Sequence, residues 1–369
     1  MRELLFVAGE ASGDLHAGAV AAQLKTLRPD LALTGVGGAN MASAGVQLLY
    51  DYRDLAVMGF MEVVKHIPKH AALLKRLRTR INSGDVAAVV LIDYPGFNMK
   101  VAQAAHEAGV PVVYYITPQV WAWGAKRLPK LARLVTKAAV ILPFEEALLR
   151  EHGIDTTFVG HPLLDRAAGL PSRGEARRRL GISDSDKLLA LFPGSRAQEI
   201  ARHLDPFVAT ARELERRHPG LRVLVSAAPT VHIDATRCPY QLIPNASLDV
   251  LRAADVALCK SGTTTLEAAL TECPMAIGYR TGGLSYLIAK RVVTIPYIGL
   301  VNVVAGREVV PEFIQDALQP MQVAASLDRL LTDTECRTTM IAGLREVRSK
   351  LGTAGAAART ATIIAGIAA

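Results

Sequence analysis

Long apolar segments, aromatic residues and cysteine pairs are all scarce in this sequence. No stretch approaches the roughly 18 uninterrupted apolar residues that a membrane-spanning helix needs. Aromatic residues make up 5% of the chain, which disfavours a protein that binds single strands by base stacking. The cysteines form no CxxC pair, so the sequence indicates neither a zinc knuckle nor a disulfide framework. They are Cys238, Cys259, Cys273 and Cys336.

The chain is long and apolar enough for two domains. It has 369 residues, of which 50% are hydrophobic, and this excludes a disordered or low-complexity protein. The formal net charge of +8 is compatible with nucleic acid, an anionic membrane surface or a phosphorylated substrate. The basic residues are dispersed and no nucleic-acid-binding motif is present, so we expect no nucleic-acid partner.

The first apolar run is short and ends at an acidic residue. Residues 4–8 are apolar, and Gly9 and Glu10 follow at once. This pattern predicts a first β-strand and disfavours a secretory leader. We therefore expect a cytoplasmic protein whose contact with a membrane, if it has one, is peripheral.

Short apolar runs alternate with helical patterns along both halves of the chain. Continuous apolar strands between helices indicate parallel sheets that are covered on both faces. The predicted strands are residues 4–8, 31–36, 87–92, 110–116, 135–142, 188–192, 221–226, 256–259 and 275–279. The fold class is therefore α/β, with two Rossmann-like, doubly wound domains.

A polar break at residues 170–174 separates the two halves. We expect domains at residues 1–170 and 171–369, with the alternative that a C-terminal helix packs back on the first domain. Open α/β sheets bind ligands beyond the carboxyl ends of their strands. The sequence therefore predicts strand-to-helix loops that face a central cleft.

Two loops of the first domain have residues suited to ligand chemistry. The run GEASGD begins at Gly9 and lets backbone N–H groups approach a ligand, while its acids suit sugar hydroxyls better than a pyrophosphate. Asp93 ends a buried strand, where a partly desolvated carboxylate suits a general base. The structural alternatives are plain turns, with Ser12 or Asp14 capping one helix and Asp93 the next. The loop with Trp121 and Trp123 could likewise face a ligand or simply pack.

Two loops of the second domain suit a diphosphate. Arg196 follows Gly194 and Ser195 and offers a fixed cation, unless it pairs with Glu199. The run at 260–267, KSGTTTLE, places hydroxyls and N–H groups at the start of a helix, which favours phosphate. A capping box of Thr264 with Glu267 is the structural alternative.

Together these runs resemble the lipid-A-disaccharide synthase family. They occur in the family's order over the chain up to Phe313, and the ordered set is far more specific than any single run. The runs are GEASGD at 9, GVGG at 35, AVMG at 56, IDYPGFN at 92, PQVWAW at 118, LPFE at 142, VGHP at 159, PGSR at 193, SGTxxLE at 261 and NxxAGRE at 302.

The resemblance implies an inverting GT-B glycosyltransferase of lipid A biosynthesis. It would join UDP-2,3-diacylglucosamine to 2,3-diacylglucosamine 1-phosphate, forming a β-1,6 disaccharide and releasing UDP. It implies no cofactor and no metal, because helix dipoles and an arginine would stabilise the leaving diphosphate. The protein would work at the cytoplasmic face of the inner membrane, and a homodimer stays open.

The family's functional positions can be carried over residue by residue. Asp93 matches the catalytic base, and Arg196 is expected to stabilise the leaving diphosphate. The positions expected at the substrates are Gly9, Glu10, Ser12, Gly13, Asn98, Gly194, Ser195, Ser261, Gly262, Thr263, Thr265, Glu267, Asn302 and Arg307.

Residues 60–80 mix large apolar side chains with basic ones, which suits an element that meets acyl chains and anionic lipid. The expected contacts are Phe60, Met61, Val63, Val64 and Ile67. An amphipathic helix that covers the first sheet is the structural alternative. A UDP-N-acetylglucosamine epimerase or the peptidoglycan transferase of the same fold would share the second domain's loops, but would need neither this segment nor IDYPGFN.

Overall fold

The chain forms two compact units. The computed structural model describes residues 2–54, 60–228, 231–283, 286–287, 291 and 295–368, except the side chains of residues 60–67, 123 and 125. One unit comprises Met1–Asp165 with Gly352–Ala369, and the other comprises Arg166–Leu351. The chain divides after Asp165, whereas the predicted boundary lay after residue 170, and Gly352–Ala369, which we assigned to the second domain, groups with the first unit.

Each unit is built on a parallel sheet within the described residues. The strands are β1 (Glu3–Ala8), β2 (Ala32–Gly37), β3 (Gln47–Asp51), β4 (Val86–Ile92), β5 (Val112–Tyr115), β6 (Lys137–Val140), β7 (Thr156–Phe158), β8 (Leu188–Phe192), β9 (Arg222–Ala227), β10 (Gln241–Pro244), β11 (Val256–Lys260), β12 (Met275–Tyr279) and β13 (Glu312–Ile314). The first sheet has the order β3-β2-β1-β4-β5-β6-β7, and the second has the order β10-β9-β8-β11-β12-β13.

Helices follow most of the strands. Among the described residues they are α1 (Ala11–Leu27), α2 (Ala39–Ser43), α3 (Phe60–Ile81), α4 (Pro95–Glu107), α5 (Val120–Trp123), α6 (Leu128–Leu134), α7 (Pro143–Glu151), α8 (Leu163–Ala167), α9 (Arg173–Arg179), α10 (Ala197–Arg217), α11 (Ser247–Ala253), α12 (Thr264–Thr271), α13 (Leu300–Ala305), α14 (Pro320–Thr332), α15 (Thr334–Lys350) and α16 (Ala356–Ile367). The alternation of strand and helix matches the predicted doubly wound class.

Both faces of the first sheet are covered by helices. On one face, Leu5 of β1 lies in an apolar cluster with Leu77 of α3. On the other, Leu4 lies in a cluster with Leu24 of α1 and Ile364 of α16. Because neighbouring residues of a strand point to opposite faces, a strand buried on both sides must be continuously apolar. This requirement explains the apolar runs of the sequence.

The break at residues 170–174 is shorter than predicted. Ser172 and Glu175 form a capping box, in which the Glu175 carboxylate accepts the Ser172 N–H at 2.8 Å. Helix α9 therefore begins at Arg173, inside the expected linker. The buried Arg177 secures this helix by donating to the carbonyl oxygen of Ala253 at 2.9 Å.

Each sheet has one point at which the strand order reverses. In the first sheet β1 and β4 are neighbours, and the chain runs outward from each of them in opposite directions. In the second sheet β8 and β11 have the same relationship. Crevices at such switch points are the usual ligand sites of open α/β sheets. Five loops were expected to suit ligand chemistry; four of them follow these four strands, and the fifth, the tryptophan loop, follows β5.

Candidate active site

Asp93 lies in a strained turn at the end of β4. Asp93 and Tyr94 have φ angles of +47° and +49°, a left-handed conformation that residues other than glycine rarely adopt. Tyr114 Oη donates to the Asp93 carbonyl oxygen at 2.8 Å, and the Asp93 N–H donates to the carbonyl oxygen of Tyr115 at 3.2 Å. The neighbouring strand therefore holds the turn that presents the half-buried Asp93.

Asn98 supports the same turn from inside the protein. Its side chain is 0% exposed, and its amide N–H groups donate to the carbonyl oxygens of Asp93 at 2.7 Å and Ile92 at 3.1 Å. We expected Asn98 at a substrate. That contact stays a prediction; in this structure the amide N–H groups hold the backbone of the turn, and the buried Oδ1 has no hydrogen-bond partner among the described residues.

No side chain of the GEASGD run caps the helix that follows it, α1. Glu10 occupies the N-cap position of α1, and its carbonyl oxygen accepts the Asp14 N–H at 2.9 Å. The expectation that Ser12 or Asp14 caps this helix is wrong, since both lie within it. Glu10 and Ser12 are exposed, whereas Gly9 and Gly13 are buried.

Asp14 instead caps a different helix. Its buried carboxylate accepts the backbone N–H groups of Gly38 at 2.7 Å, Asn40 at 3.0 Å and Met41 at 3.1 Å. These groups form the start of α2. Asp14 thus connects the segment after β1 to the segment after β2.

The tryptophan loop is attached to α7 through a buried acid. Trp121 Nε1 donates to Glu145 Oε1 at 3.0 Å, and the Trp121 ring packs edge-on against Phe144. The other oxygen of Glu145 accepts the Leu142 N–H at 3.1 Å. Burial raises the pKa of Glu145 to about 7, although these hydrogen bonds oppose the rise. The only sequence signal for Glu145 is its place in the LPFE run.

A second buried titratable group, His161, lies in the VGHP run. Its Nδ1 accepts the Leu163 N–H at 3.2 Å, so the proton of the neutral ring is on Nε2. Burial, assisted by the positive charge of nearby His16, lowers the pKa of His161 to about 3. This histidine is therefore neutral at physiological pH.

In the second unit, the loop after β8 turns sharply into α10. Gly194 has a φ of +134°, and a Cβ atom there would lie 2.5 Å from Cβ of Glu199. The Ser195 N–H donates to Glu199 Oε2 at 2.9 Å, and Arg196 is the exposed N-cap residue of α10. The first turn of α10 thus offers a cation beside a helix N-terminus.

The loop after β11 meets this turn through an ion pair. Lys260 Nζ lies 2.9 Å from Glu199 Oε1. Ser261 Oγ donates to the Ile298 carbonyl oxygen at 2.7 Å, and the buried Thr265 donates to the carbonyl oxygen of Gly262 at 2.8 Å. In the sequence, Lys260 stands out only as part of the KSGTTTLE run, and Glu199 only as a possible partner for Arg196.

Helix α12 does not use the expected capping box. Its N-cap residue is Thr263, which is exposed, so Thr264 is already the first helical residue. The carboxylate of Glu267 instead accepts from Arg166 at 3.3 Å. The capping box of Thr264 with Glu267 is therefore wrong, because Glu267 points towards another segment of its unit.

Asn302 and Arg307 make structural contacts. Asn302 is fully buried, and its side chain donates to Glu312 Oε1 at 2.9 Å and accepts the Val310 N–H at 3.0 Å. Arg307 is exposed and donates to Glu346 at 2.6 Å. In this structure the polar atoms of Asn302 hold the approach to β13, and its contact with a ligand, like that of Asn98, stays a prediction.

The family described as lipid-A-disaccharide synthetase matches residues 4–363 of the chain. The chain belongs to this family. Lipid-A-disaccharide synthase of Geobacter metallireducens is 41% identical, over 98% of this chain and 96% of that protein. The synthase of Anaeromyxobacter dehalogenans is 40% identical, over 99% and 97%, and that of Myxococcus xanthus is 38% identical, over 97% and 95%. The resemblance found in the sequence is confirmed.

Several solved structures share the fold of this synthetase family member. A co-structure of Staphylococcus aureus MnaA with UDP has a TM-score of 0.64 at 12% identity, over 99% of this chain and 95% of that chain. CalG4, the calicheamicin glycosyltransferase, has a TM-score of 0.62 at 15% identity, over 100% and 98%. The predicted class of two parallel-sheet α/β domains, as in GT-B glycosyltransferases and epimerases, is confirmed.

The segment that we expected to contact lipid in this family member is helical. Phe60, Met61, Val63, Val64 and Ile67 lie in α3, but their side chains are outside the described residues. Towards the end of α3, Leu73, Leu77 and Ile81 are buried against the sheet. Of the helices in the described part of the chain, none is long and apolar enough to cross a membrane.

Proposed function

We propose that this family member is an inverting glycosyltransferase that joins UDP-2,3-diacylglucosamine to 2,3-diacylglucosamine 1-phosphate. The products would be the β-1,6-linked disaccharide 1-phosphate and UDP. The names of the curated relatives support this activity. The single structural observation that favours it is Asp93, an acid held in a strained turn at the switch point of the first sheet.

Asp93 would act as the general base. The 6-hydroxyl oxygen of the acceptor would attack the anomeric carbon of the donor sugar while its proton passes to the Asp93 carboxylate. The bond between that carbon and the diphosphate oxygen would break on the opposite face, so the configuration inverts. The contacts of Asn98 and Tyr114 to the Asp93 carbonyl oxygen support this role, since they restrict the turn.

The second unit would hold the diphosphate of the donor. Arg196 at the start of α10 and the N–H groups at the start of α12 are donors suited to an anion. They would stabilise the charge that develops on departing UDP without a metal ion. Activity should then persist in a chelator, and activity that vanishes with EDTA and returns with magnesium would contradict this part of the proposal.

The activity is tested by incubating the protein with both lipid substrates and separating the disaccharide by chromatography. Asp93→Asn should lower turnover by about 10²–10⁴-fold while UDP binding is retained. Asp85→Asn is a matched control, because the exposed Asp85 stands at the opposite end of β4. Disaccharide formation by D93N at the parental rate would remove Asp93 from the mechanism, and conversion of UDP-N-acetylglucosamine without an acceptor would favour an epimerase.

The protein would work as a peripheral protein on the cytoplasmic face of the inner membrane. Both proposed substrates are lipids, and Phe60, Met61 and Val64 stand in a segment rich in large apolar and basic residues. Replacing these three residues with serine should reduce sedimentation with anionic vesicles at low salt, and raise the KM for vesicle-presented substrate more than for detergent-dispersed substrate. Equal sedimentation of variant and parent would leave the segment as a helix that covers the sheet.

A further inference from the structure

A largely buried ion pair joins the two loops at the switch point of the second sheet. Lys260 is the last residue of β11, and Glu199 lies in the first turn of α10. Their charged atoms are 2.9 Å apart, and the two side chains are 19% and 15% exposed. The Lys260 ammonium lowers the pKa of Glu199, although burial opposes that effect, so the acid is ionised.

The ammonium group of Lys260 lies beside the backbone of the second loop. A Cβ atom built on Gly262 would be 3.5 Å from Lys260 Nζ, which places the cation over the residue that leads into α12. The second oxygen of Glu199 takes the Ser195 N–H in the other loop. The cation therefore stands where the two loops meet, at the carboxyl ends of β8 and β11.

The donor capacity of Lys260 exceeds what Glu199 uses. An ammonium group has three N–H donors, and the described contact to Glu199 Oε1 needs one of them. The diphosphate of a nucleotide sugar is a dianion, and Arg196 with two helix N-termini would face it in the proposed function. A second full cation at the junction of these loops would help to balance the charge of this dianion.

We propose that Lys260 is a binding residue for the diphosphate of the UDP-sugar and that Glu199 is its counter-ion in the protein without nucleotide. This inference rests on the proposed function, because it assigns a further residue to the same nucleotide site. The competing explanation is that the ion pair only fastens the two loops together. The two explanations differ in the expected effect of removing Glu199. If the ion pair only holds the loops together, UDP affinity falls when either residue is replaced. If Lys260 binds the diphosphate, UDP affinity falls when Lys260 is replaced but not when Glu199 is.

The test is isothermal titration of the full chain with UDP and, separately, with uridine. Lys260→Met should weaken UDP binding by about 10- to 100-fold, the usual range for a hydrogen bond to a charged group, and leave uridine binding within about twofold. Glu199→Gln should keep or improve UDP affinity, because it removes a competing negative charge but retains an acceptor for the Ser195 N–H. Lys260→Arg, which keeps the charge, should retain most of the affinity.

Lys187→Met is the matched control for loss of a positive charge, since the exposed Lys187 precedes β8 at its opposite end. Its UDP affinity should equal that of the parent. Equal losses for UDP and uridine in K260M, or a loss of UDP affinity in E199Q as large as in K260M, would overturn the inference and make the pair a loop fastener. A parent that binds no UDP would instead contradict the proposed function itself.

Discussion

The ring of Tyr94 lies directly over Gly9, so closely that a Cβ atom on Gly9 would stand 2.2 Å from Cδ1 of Tyr94. Gly9 follows β1 and Tyr94 follows β4, which are neighbours in the first sheet. Tyr94 Oη is also 2.9 Å from Nε2 of His70 on α3. One aromatic ring therefore links the GEASGD loop, the Asp93 turn and helix α3.

We expect Gly9→Ala to displace this ring and to destabilise the protein by about 1–3 kcal/mol, the usual cost of overpacking. Gly13→Ala is the comparison. Gly13 lies inside α1, and a Cβ atom there would be 3.4 Å from Cβ of Ala8, an ordinary van der Waals contact. Alanine is a better helix former than glycine, so G13A should keep or raise the free energy of unfolding. Urea denaturation measures both, and equal stability of G9A and the parent would show that Tyr94 moves aside without cost.

Asn98→Ala should loosen the Asp93 turn. The change leaves the buried carbonyl oxygens of Ile92 and Asp93 without the amide donor, at a cost of about 1–3 kcal/mol. Turnover should fall at least tenfold, while UDP binding is unchanged because the nucleotide loops lie in the other unit. Asn82→Ala, which removes an exposed amide bonded to the Arg78 carbonyl oxygen, is the control. Full turnover of N98A in a folded protein would mean that the turn holds its shape without the amide.

His161 should make the protein less stable in mild acid. Its pKa is about 3 in the folded protein and about 6.5 when unfolded, so the unfolded chain binds the proton more readily between these values. Stability therefore falls as the pH drops, by about 2 kcal/mol between pH 7 and pH 5 from this group alone.

His161→Asn keeps an acceptor near the Leu163 N–H but does not titrate. The difference in unfolding free energy between pH 7 and pH 5 should therefore be smaller in H161N than in the parent, measured by urea denaturation. Exposed His152→Asn gives the reference for the loss of one imidazole. Identical pH dependence in H161N and the parent would contradict the assignment.

Glu145 should act in the opposite direction. Its pKa is about 7 in the folded protein and about 4.3 when unfolded, so its contribution to stability is full below the unfolded value and is lost as the pH rises through 7. Because Trp121 donates to this carboxylate, ionisation should also change the emission of the indole.

With Trp123→Phe as background, so that Trp121 is the remaining tryptophan, emission should titrate with a midpoint near pH 7. Glu145→Gln should abolish that transition, whereas Glu146→Gln at the neighbouring position should retain it. A transition that persists in E145Q would assign the titration to another group.

The sequence by itself determined the interior of both sheets. Every strand with two neighbours was predicted, because a strand buried on both faces must be continuously apolar. Among the strands that the structure describes, the four at sheet edges, β3, β7, β10 and β13, were not predicted. They are short and only partly buried, so their residues lack an unbroken apolar run.

The sequence also determined where the candidate ligand loops lie in each sheet. A motif that directly follows an interior strand must stand at the carboxyl edge of that sheet. Only the tertiary structure decided which of these side chains brace the backbone and which pair with one another. Asp14 caps α2, Asn98 and Asn302 are buried, and Lys260 meets Glu199. These contacts join segments that are far apart in sequence. Local sequence preferences cannot show which distant segments come within hydrogen-bond distance, because the packing of the helices and sheets decides that.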